Sequence, residues 1–593
     1  MKQFNCIGAA FHSRPGAYVF YALTALAFWL IRSAGQIHGW IPEVYPQAFI
    51  PALTAVILVC AAVHLAWLLF WGKVKRPVLR GVHMGFCVLS GIFFVYAAVF
   101  AFSLDKGFVA AEINKALAQL FTSMALLLIT VLLPVPFAIF SNPKKVIISA
   151  SCITLAICFG GACVYVSQKI KTESGLAKSA WHLKPLPENA ELMASILPSQ
   201  RQITHAKETE FYAFFHFGIN TFAGVEWGDG KEDPMIFDPA ALDTDQWIKA
   251  IADAGMTGAI ITAKHHDGFC LWPSEYTDFS VKNSPYRGDI VKEFAESCRK
   301  YGVKFGFYLS PWDMNSPLFG QDEAYNDHYV NQLTELLTNY GEVFEVWFDG
   351  AIADAYKGIQ TYDWDRWVSI VRELQPGAVT AIAPPVPDVA WVGNEDGLAN
   401  GNVNSVRYRS GQWIWARSEC DVSIRHGWFY HDHEGPKSLD HLMRIYYNSI
   451  GMNCTLLLNI PPNREGRLDQ KDVDRLAEMG RAVEAVYANE IPAEMTVLRE
   501  GRNTFAYDFK LDAPQKARHV ILSEDVSRFG ERITSWSVYA KVGGLYSKVG
   551  EAESAGAKTI VRLSRFAPKT DSYRIVIEEA RANPALNKIT FYG

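Results

Sequence analysis

The feature that most constrains this chain is the crowding of nearly uncharged apolar runs into its first 170 residues, with ordinary charge content thereafter. Five runs stand out, at 17–31, 48–71, 85–102, 117–140 and 146–166. Each can cross roughly 30 Å of hydrocarbon as a helix, with a few interfacial residues added for the shortest. Residues 1–170 are therefore expected to form an all-α membrane region of about five transmembrane helices. The first run also has the length of a signal peptide, but four more follow it and no small-residue cleavage site lies just beyond it.

Basic residues set the expected orientation. Lys2 and Arg14 precede the first run, Lys73, Lys75, Arg76 and Arg80 follow the second, and Lys144 and Lys145 follow the fourth. Such flanks stay on the cytoplasmic side. The N-terminus is thus expected in the cytoplasm, and an odd number of spans carries the rest of the chain to the periplasm or the exterior, although Lys169 and Lys171 pull weakly the other way. A lipid bilayer is an expected partner. Nucleic acid is not, since a formal charge of −5 and a pI near 6.3 provide no basic footprint. Cys270, Cys298, Cys420 and Cys454 show no CxxC spacing, so neither a zinc ribbon nor a disulfide framework is indicated.

Residues 171–204 are polar with scattered prolines and suggest a linker. From Phe211 a theme recurs: a short apolar run ends in polar or aromatic residues, and a helical pattern follows. Eight such runs are found at 211–218, 258–266, 304–312, 343–350, 378–383, 388–395, 419–424 and 454–460. Helical patterns lie at 240–254, 289–301, 322–340, 362–374, 438–450 and 468–488. This alternation fits a (β/α)8-like TIM barrel over 205–491 better than a doubly wound sheet, with an irregular fifth-to-sixth connection too short for a helix. Past residue 492 the helical patterns stop, and alternating β-branched and aromatic runs predict a C-terminal β-sandwich over 492–593.

In a barrel the chemistry sits at the C-terminal ends of the strands. The apolar runs turn polar at His216, His265 with His266, Tyr308, Asp349, Glu395 and Glu419. Asp349 could be a rim carboxylate beside Trp347 or a cap for the next helix. Glu395 could be its partner or a solvated loop residue, and Glu419 is a second candidate for that role. Two carboxylates converging from different strands are the working parts of a glycosidase. Adjacent histidines on a strand point to opposite faces, so "AKHHDGF" allows a metal site, a structural pair or recognition of hydroxyl groups. Asp267 before Gly268 suits a turn. Trp227, Trp272, Trp312, Trp347 and Trp391 could offer faces to a sugar ring, although most tryptophans in such a chain are core.

The motifs "FFHFGINTFAGVEWGDG", "TAKHHDGFCLW", "KFGFYLSPWD", "VFEVWFDGA", "WVGNE", "ECDVSIRHGWFYH" and "LLLNIPPNREG", in this order, resemble the α-L-fucosidases of glycoside hydrolase family 29 over about 205–490. The resemblance does not extend to residues 1–170. It implies a retaining exo-α-L-fucosidase with Asp349 as nucleophile, and His216, Glu226, Trp227, His265, His266, Tyr308 and Trp347 holding fucose. "WVGNE" is similar to the branch acting on α-1,3- and α-1,4-linked fucose, which favours Glu395 over Glu419 as acid/base. Ala390 and His426 depart from that branch, which usually has arginine and proline there. The implied partner is a fucosylated oligosaccharide or glycoconjugate, and no metal or organic cofactor is required. The alternatives are a catalytically silent fucose-binding membrane receptor and a transporter coupled to hydrolysis. The few charged residues in the spans offer the transporter no ion path.

Overall fold

The computed structural model describes residues 188–593 apart from 402, 502–503, 543–544 and 566. The five apolar runs lie outside the described residues. Among those described, no helix is long and apolar enough to cross a membrane.

Eight parallel strands close into a barrel: β1 (Phe211–Phe215), β2 (Gly258–Lys264), β3 (Lys304–Leu309), β4 (Glu345–Trp347), β5 (Val379–Ala381), β6 (Val389–Trp391), β9 (Arg417–Ser423) and β10 (Thr455–Asn459). β7 (Val406–Arg409) and β8 (Gln412–Trp415) form a separate hairpin between β6 and β9. All eight expected strands are present, each trimmed at its polar end, where the chain leaves the sheet. No helix intervenes between β5 and β6, as the short connection requires, and the hairpin replaces one between β6 and β9. The other crossovers are amphipathic helices, Thr244–Asp253, Ile290–Tyr301, Asp322–Asn339, Trp364–Leu374 and Leu439–Asn448, and Gln470–Tyr487 follows β10. Aspartates 243, 289, 363 and 469 cap four of these helices by accepting from first-turn amides.

Because strand side chains alternate, each barrel strand serves two cores. On β1, Phe211, Ala213 and Phe215 pack outward among the helices, while Tyr212 and Phe214 join Ile260, Tyr308, Trp347, Val379 and Leu457 inside the barrel. The inward series on β1 continues to His216, and that on β4 runs Glu345, Trp347, Asp349. Each strand thus climbs from a buried floor to a polar mouth.

The segment expected as a linker is in part structured. Helices Ala190–Ala194 and Gln200–Glu208 form, and the second closes the N-terminal end of the barrel. Gln202 Nε2 donates to the carbonyls of Asp388 and Trp415, and Arg201 pairs with Asp388 at 2.9 Å. Hydropathy carries no sign of this packing because the side chains it buries, Gln202 and His205, are polar. Beyond Tyr487, a five-stranded antiparallel sheet and a four-stranded sheet share one core that includes Phe505, Val520, Leu522, Trp536, Ile575 and Phe591.

Candidate active site

Asp349 follows β4 directly, at the mouth of the barrel. Its Oδ1 accepts from the Ala351 amide at 2.7 Å and its Oδ2 from the Tyr308 hydroxyl at 2.9 Å. His266 Nε2 lies 3.7 Å from the same Oδ2. The carboxyl group is therefore held in one orientation by its own loop and by β3, rather than capping a helix.

The three histidines converge beside it. His216 Nδ1 lies 2.9 Å from Asn459 Oδ1, whose amide nitrogen donates to the Trp428 carbonyl at 2.8 Å. That contact fixes the amide orientation, so His216 Nδ1 carries the proton and Nε2 offers a lone pair. His266 repeats the arrangement. Ser310 Oγ donates to the Trp312 carbonyl and so accepts from His266 Nδ1, both at 2.7 Å. His265 Nδ1 faces the amide nitrogen of Asn220 at 3.5 Å and Asp267 Oδ2 at 3.9 Å. Burial pushes the His216 imidazole down to about 3. It pushes His265 well below the ordinary range and lowers His266 against the pull of Asp349. The pocket wall is thus made of neutral imidazoles, with His216 and His266 each turning a lone pair at Nε2 to the site, a surface suited to hydroxyl groups.

Aromatic rings complete the wall. Tyr308 stacks on Trp347 at 5.4 Å and 24°. Trp227, 49% exposed, stands over His266 and Trp312 at 5.3 and 5.4 Å. Glu226, beside it, points elsewhere. Its carboxylate accepts from the Trp428 amide at 2.8 Å and lies 2.6 Å from His431 Nε2, bracing the loop after β9. Trp272 is core, with its indole nitrogen bound to Glu335. Asp267 occupies the turn after β2, accepting from the Phe269 amide at 2.7 Å, and burial pushes its carboxyl up to about 7.

The two candidate partner carboxylates have different positions. Glu395 stands exposed after β6, its Oε2 accepting from the Trp428 indole at 3.2 Å. Trp428 in turn lies 4.9 Å from the His216 ring. Glu419 is fully buried below the pocket and accepts from the Trp347 indole and the Tyr212 hydroxyl. Trp391 sits at the rim with its indole bound to Asp421 at 2.7 Å. Asn220, Ser310, Trp428 and Asn459 escaped the sequence reading. Ser310 and Asn459 end their strands as polar residues and were within reach of the rule that found Asp349, whereas Asn220 lies in the short helix Ile219–Ala223 and Trp428 in a loop, with no such signal.

A fixed carboxylate among neutral imidazoles and aromatic faces, at the C-terminal mouth of a parallel barrel, defines a glycoside hydrolase of the barrel class. The model of the α-L-fucosidase family matches residues 197–486. α-L-Fucosidase 1 of Arabidopsis thaliana is 36% identical over 67% of this chain and 87% of its own length. A glycoside hydrolase family 29 member from a rumen bacterium superposes with a TM-score of 0.62 at 35% identity, over 67% of this chain and 77% of that one. A family 29 fucosidase of Ruminococcus gnavus, crystallised with fucose, superposes with a TM-score of 0.62 at 28% identity, over 70% and 97%. The chain belongs to the α-L-fucosidases of glycoside hydrolase family 29 and is an enzyme that hydrolyses fucosylated glycans. This sets aside the silent-receptor reading.

Proposed function

We propose that this fucosidase is a membrane-anchored retaining exo-enzyme acting on terminal α-1,3- and α-1,4-linked L-fucose outside the cytoplasm. The observation that carries the mechanism is the fixing of Asp349 by Tyr308 and Ala351 beside the imidazole wall. Its Oδ2 attacks the anomeric carbon as the glycosidic C–O bond breaks, and Glu395 gives its proton to the departing oxygen. Glu395 then takes a proton from water, which displaces Asp349 from the glycosyl-enzyme. The mechanism requires carboxyl groups about 5 to 5.5 Å apart. The neutral imidazoles bind the sugar hydroxyls, and the fucose held by the Ruminococcus gnavus relative supports fucose as the sugar in this pocket.

Anchoring is supported by the five apolar runs and the placing of their basic flanks. The linkage preference is supported by "WVGNE". The full-length protein in detergent, given an aryl α-L-fucoside, should release fucose first as the α anomer by NMR. Asp349→Ala should lose activity by several orders of magnitude, with partial rescue by azide. A β anomer as first product would sink the retaining mechanism. A panel of α-1,2-, α-1,3-, α-1,4- and α-1,6-linked glycans tests the linkage. Protease access in right-side-out and inverted vesicles tests the orientation.

A further inference from the structure

Beneath the pocket, four polar side chains that the mechanism does not use are sealed from solvent: Tyr212 on β1, Glu345 on β4, Glu419 on β9, and His205 on the helix that closes the barrel. Glu345 and Glu419 lie close enough to act on each other electrostatically. His205 Nε2 lies 3.0 Å from Glu345 Oε2, and the Tyr212 hydroxyl donates to Glu419 Oε2. The other oxygen of Glu419, Oε1, accepts from the Trp347 indole nitrogen at 2.7 Å. Two carboxyl groups in a dry core cannot both ionise cheaply. Burial accordingly pushes Glu345 up to about 8 and holds Glu419 well above the usual carboxyl range.

Carboxyl groups are costly to bury, and apolar side chains would serve packing alone as well or better. What this group adds is direction. An indole tied through its N–H cannot swing about its side-chain bonds without leaving a buried donor unpaired. Trp347 stacks on Tyr308, whose hydroxyl holds Asp349, so the orientation imposed on the floor reaches the mouth through two rings.

We propose that Glu419 is a positioning residue for fucose binding: it fixes the plane of the Trp347 indole from below, and through Trp347 the face presented to the sugar. This rests on the reading of Trp347 as a sugar contact.

The test uses the full-length protein in detergent, an aryl α-L-fucoside as substrate and free L-fucose as inhibitor. Loss of the acceptor in Glu419→Leu should raise KM and the fucose inhibition constant together by about tenfold or more, with kcat changed less than about threefold. Glu419→Gln should restore both to within about threefold, because its carbonyl can accept from Trp347 while its amino group donates to Tyr212. In a Trp347→Phe background, which has no indole N–H to hold, Glu419→Leu should add less than about twofold. An equal rise in both backgrounds, or a folded Leu variant with wild-type inhibition, overturns the proposal. Should the Leu variant not accumulate folded, Glu419→Asp, one methylene shorter, must raise the same two constants, and wild-type values there overturn the proposal. If Trp347→Phe leaves fucose inhibition unchanged, the pocket reading of Trp347 fails and the proposal falls with it. If Trp347→Phe weakens fucose and the Glu419 variants do not, only the positioning role falls.

Discussion

The Tyr308 hydroxyl donates to Oδ2 of Asp349 at 2.9 Å, joining the inner face of β3 to the carboxylate that follows β4. Hydrogen bonds to charged groups contribute about 1.5–3 kcal/mol. Tyr308→Phe keeps the stacking on Trp347 and removes only this bond, so kcat/KM should fall by roughly 10- to 100-fold. Steady-state kinetics on an aryl α-L-fucoside check this, and an unchanged value would exclude Tyr308 from orienting Asp349.

Trp428 links Glu395 to the pocket, donating to its Oε2 at 3.2 Å while its ring lies 4.9 Å from His216. The contact is exposed, so its loss costs less, about 1 kcal/mol. Trp428→Phe should lower kcat by a few-fold on a poor leaving group and barely alter it on a dinitrophenyl fucoside, which departs without protonation. Equal losses on both substrates would disconnect Trp428 from the acid step.

His216, with its imidazole pushed down to about 3 by burial, stays neutral throughout the working range. It therefore contributes no limb to the pH profile near the ordinary imidazole value. His216→Gln should raise KM while leaving the shape of kcat/KM against pH unchanged between pH 5 and 8. Disappearance of a limb in that variant would show that the histidine titrates during turnover.

Glu345 makes stability depend on pH. Its carboxyl keeps its proton to about 8 when folded and releases it near the ordinary value of 4.5 when unfolded. Between these limits the native state holds more protons than the unfolded state, so this contribution is complete below 4.5 and lost as pH rises towards 8. His205, pushed down to about 4 by burial, acts in the opposite sense, losing its contribution as pH falls from 6.5 to 4. Glu345→Gln cannot titrate. The thermal midpoint of the wild type should therefore fall relative to that of the variant between pH 5 and pH 8, and a constant difference would contradict the raised Glu345 carboxyl.

Gly268 has φ +92°, and a Cβ there would collide with Oδ1 of Asp313. Asp313 is itself buried and paired with Lys264 at 2.9 Å. Gly268→Ala combines left-handed strain with displacement of that pair and should cost about 1–3 kcal/mol. Thermal unfolding measures the loss, and a wild-type midpoint would mean that the turn relaxes freely.

The barrel was legible in the sequence because eight apolar runs alternate with amphipathic helices, and the ends of those runs carry His216, His265, His266, Tyr308 and Asp349, which the structure brings together at the mouth. The β-rich tail was legible for the same reason, since alternation of apolar and polar residues is a property of the chain itself. The apolar runs of residues 1–170 carry their own message at that level and stand as an expectation about lipid. Depth within the barrel was decided only by tertiary structure. Glu395 and Glu419 are both strand-associated glutamates. Glu419 lies early in β9, in register with Thr455 at the start of β10, and is sealed on the floor, while Glu395, four residues past the end of β6, stands in solvent. The closing helix 200–208 was hidden because it buries Gln202 and His205, whose partners come from remote strands and leave no local pattern. Local chemistry fixes periodicity and turns. Which polar groups meet, and which are sealed from water, depends on closure of the sheet, because only closure brings β1, β4 and β9 to one axis.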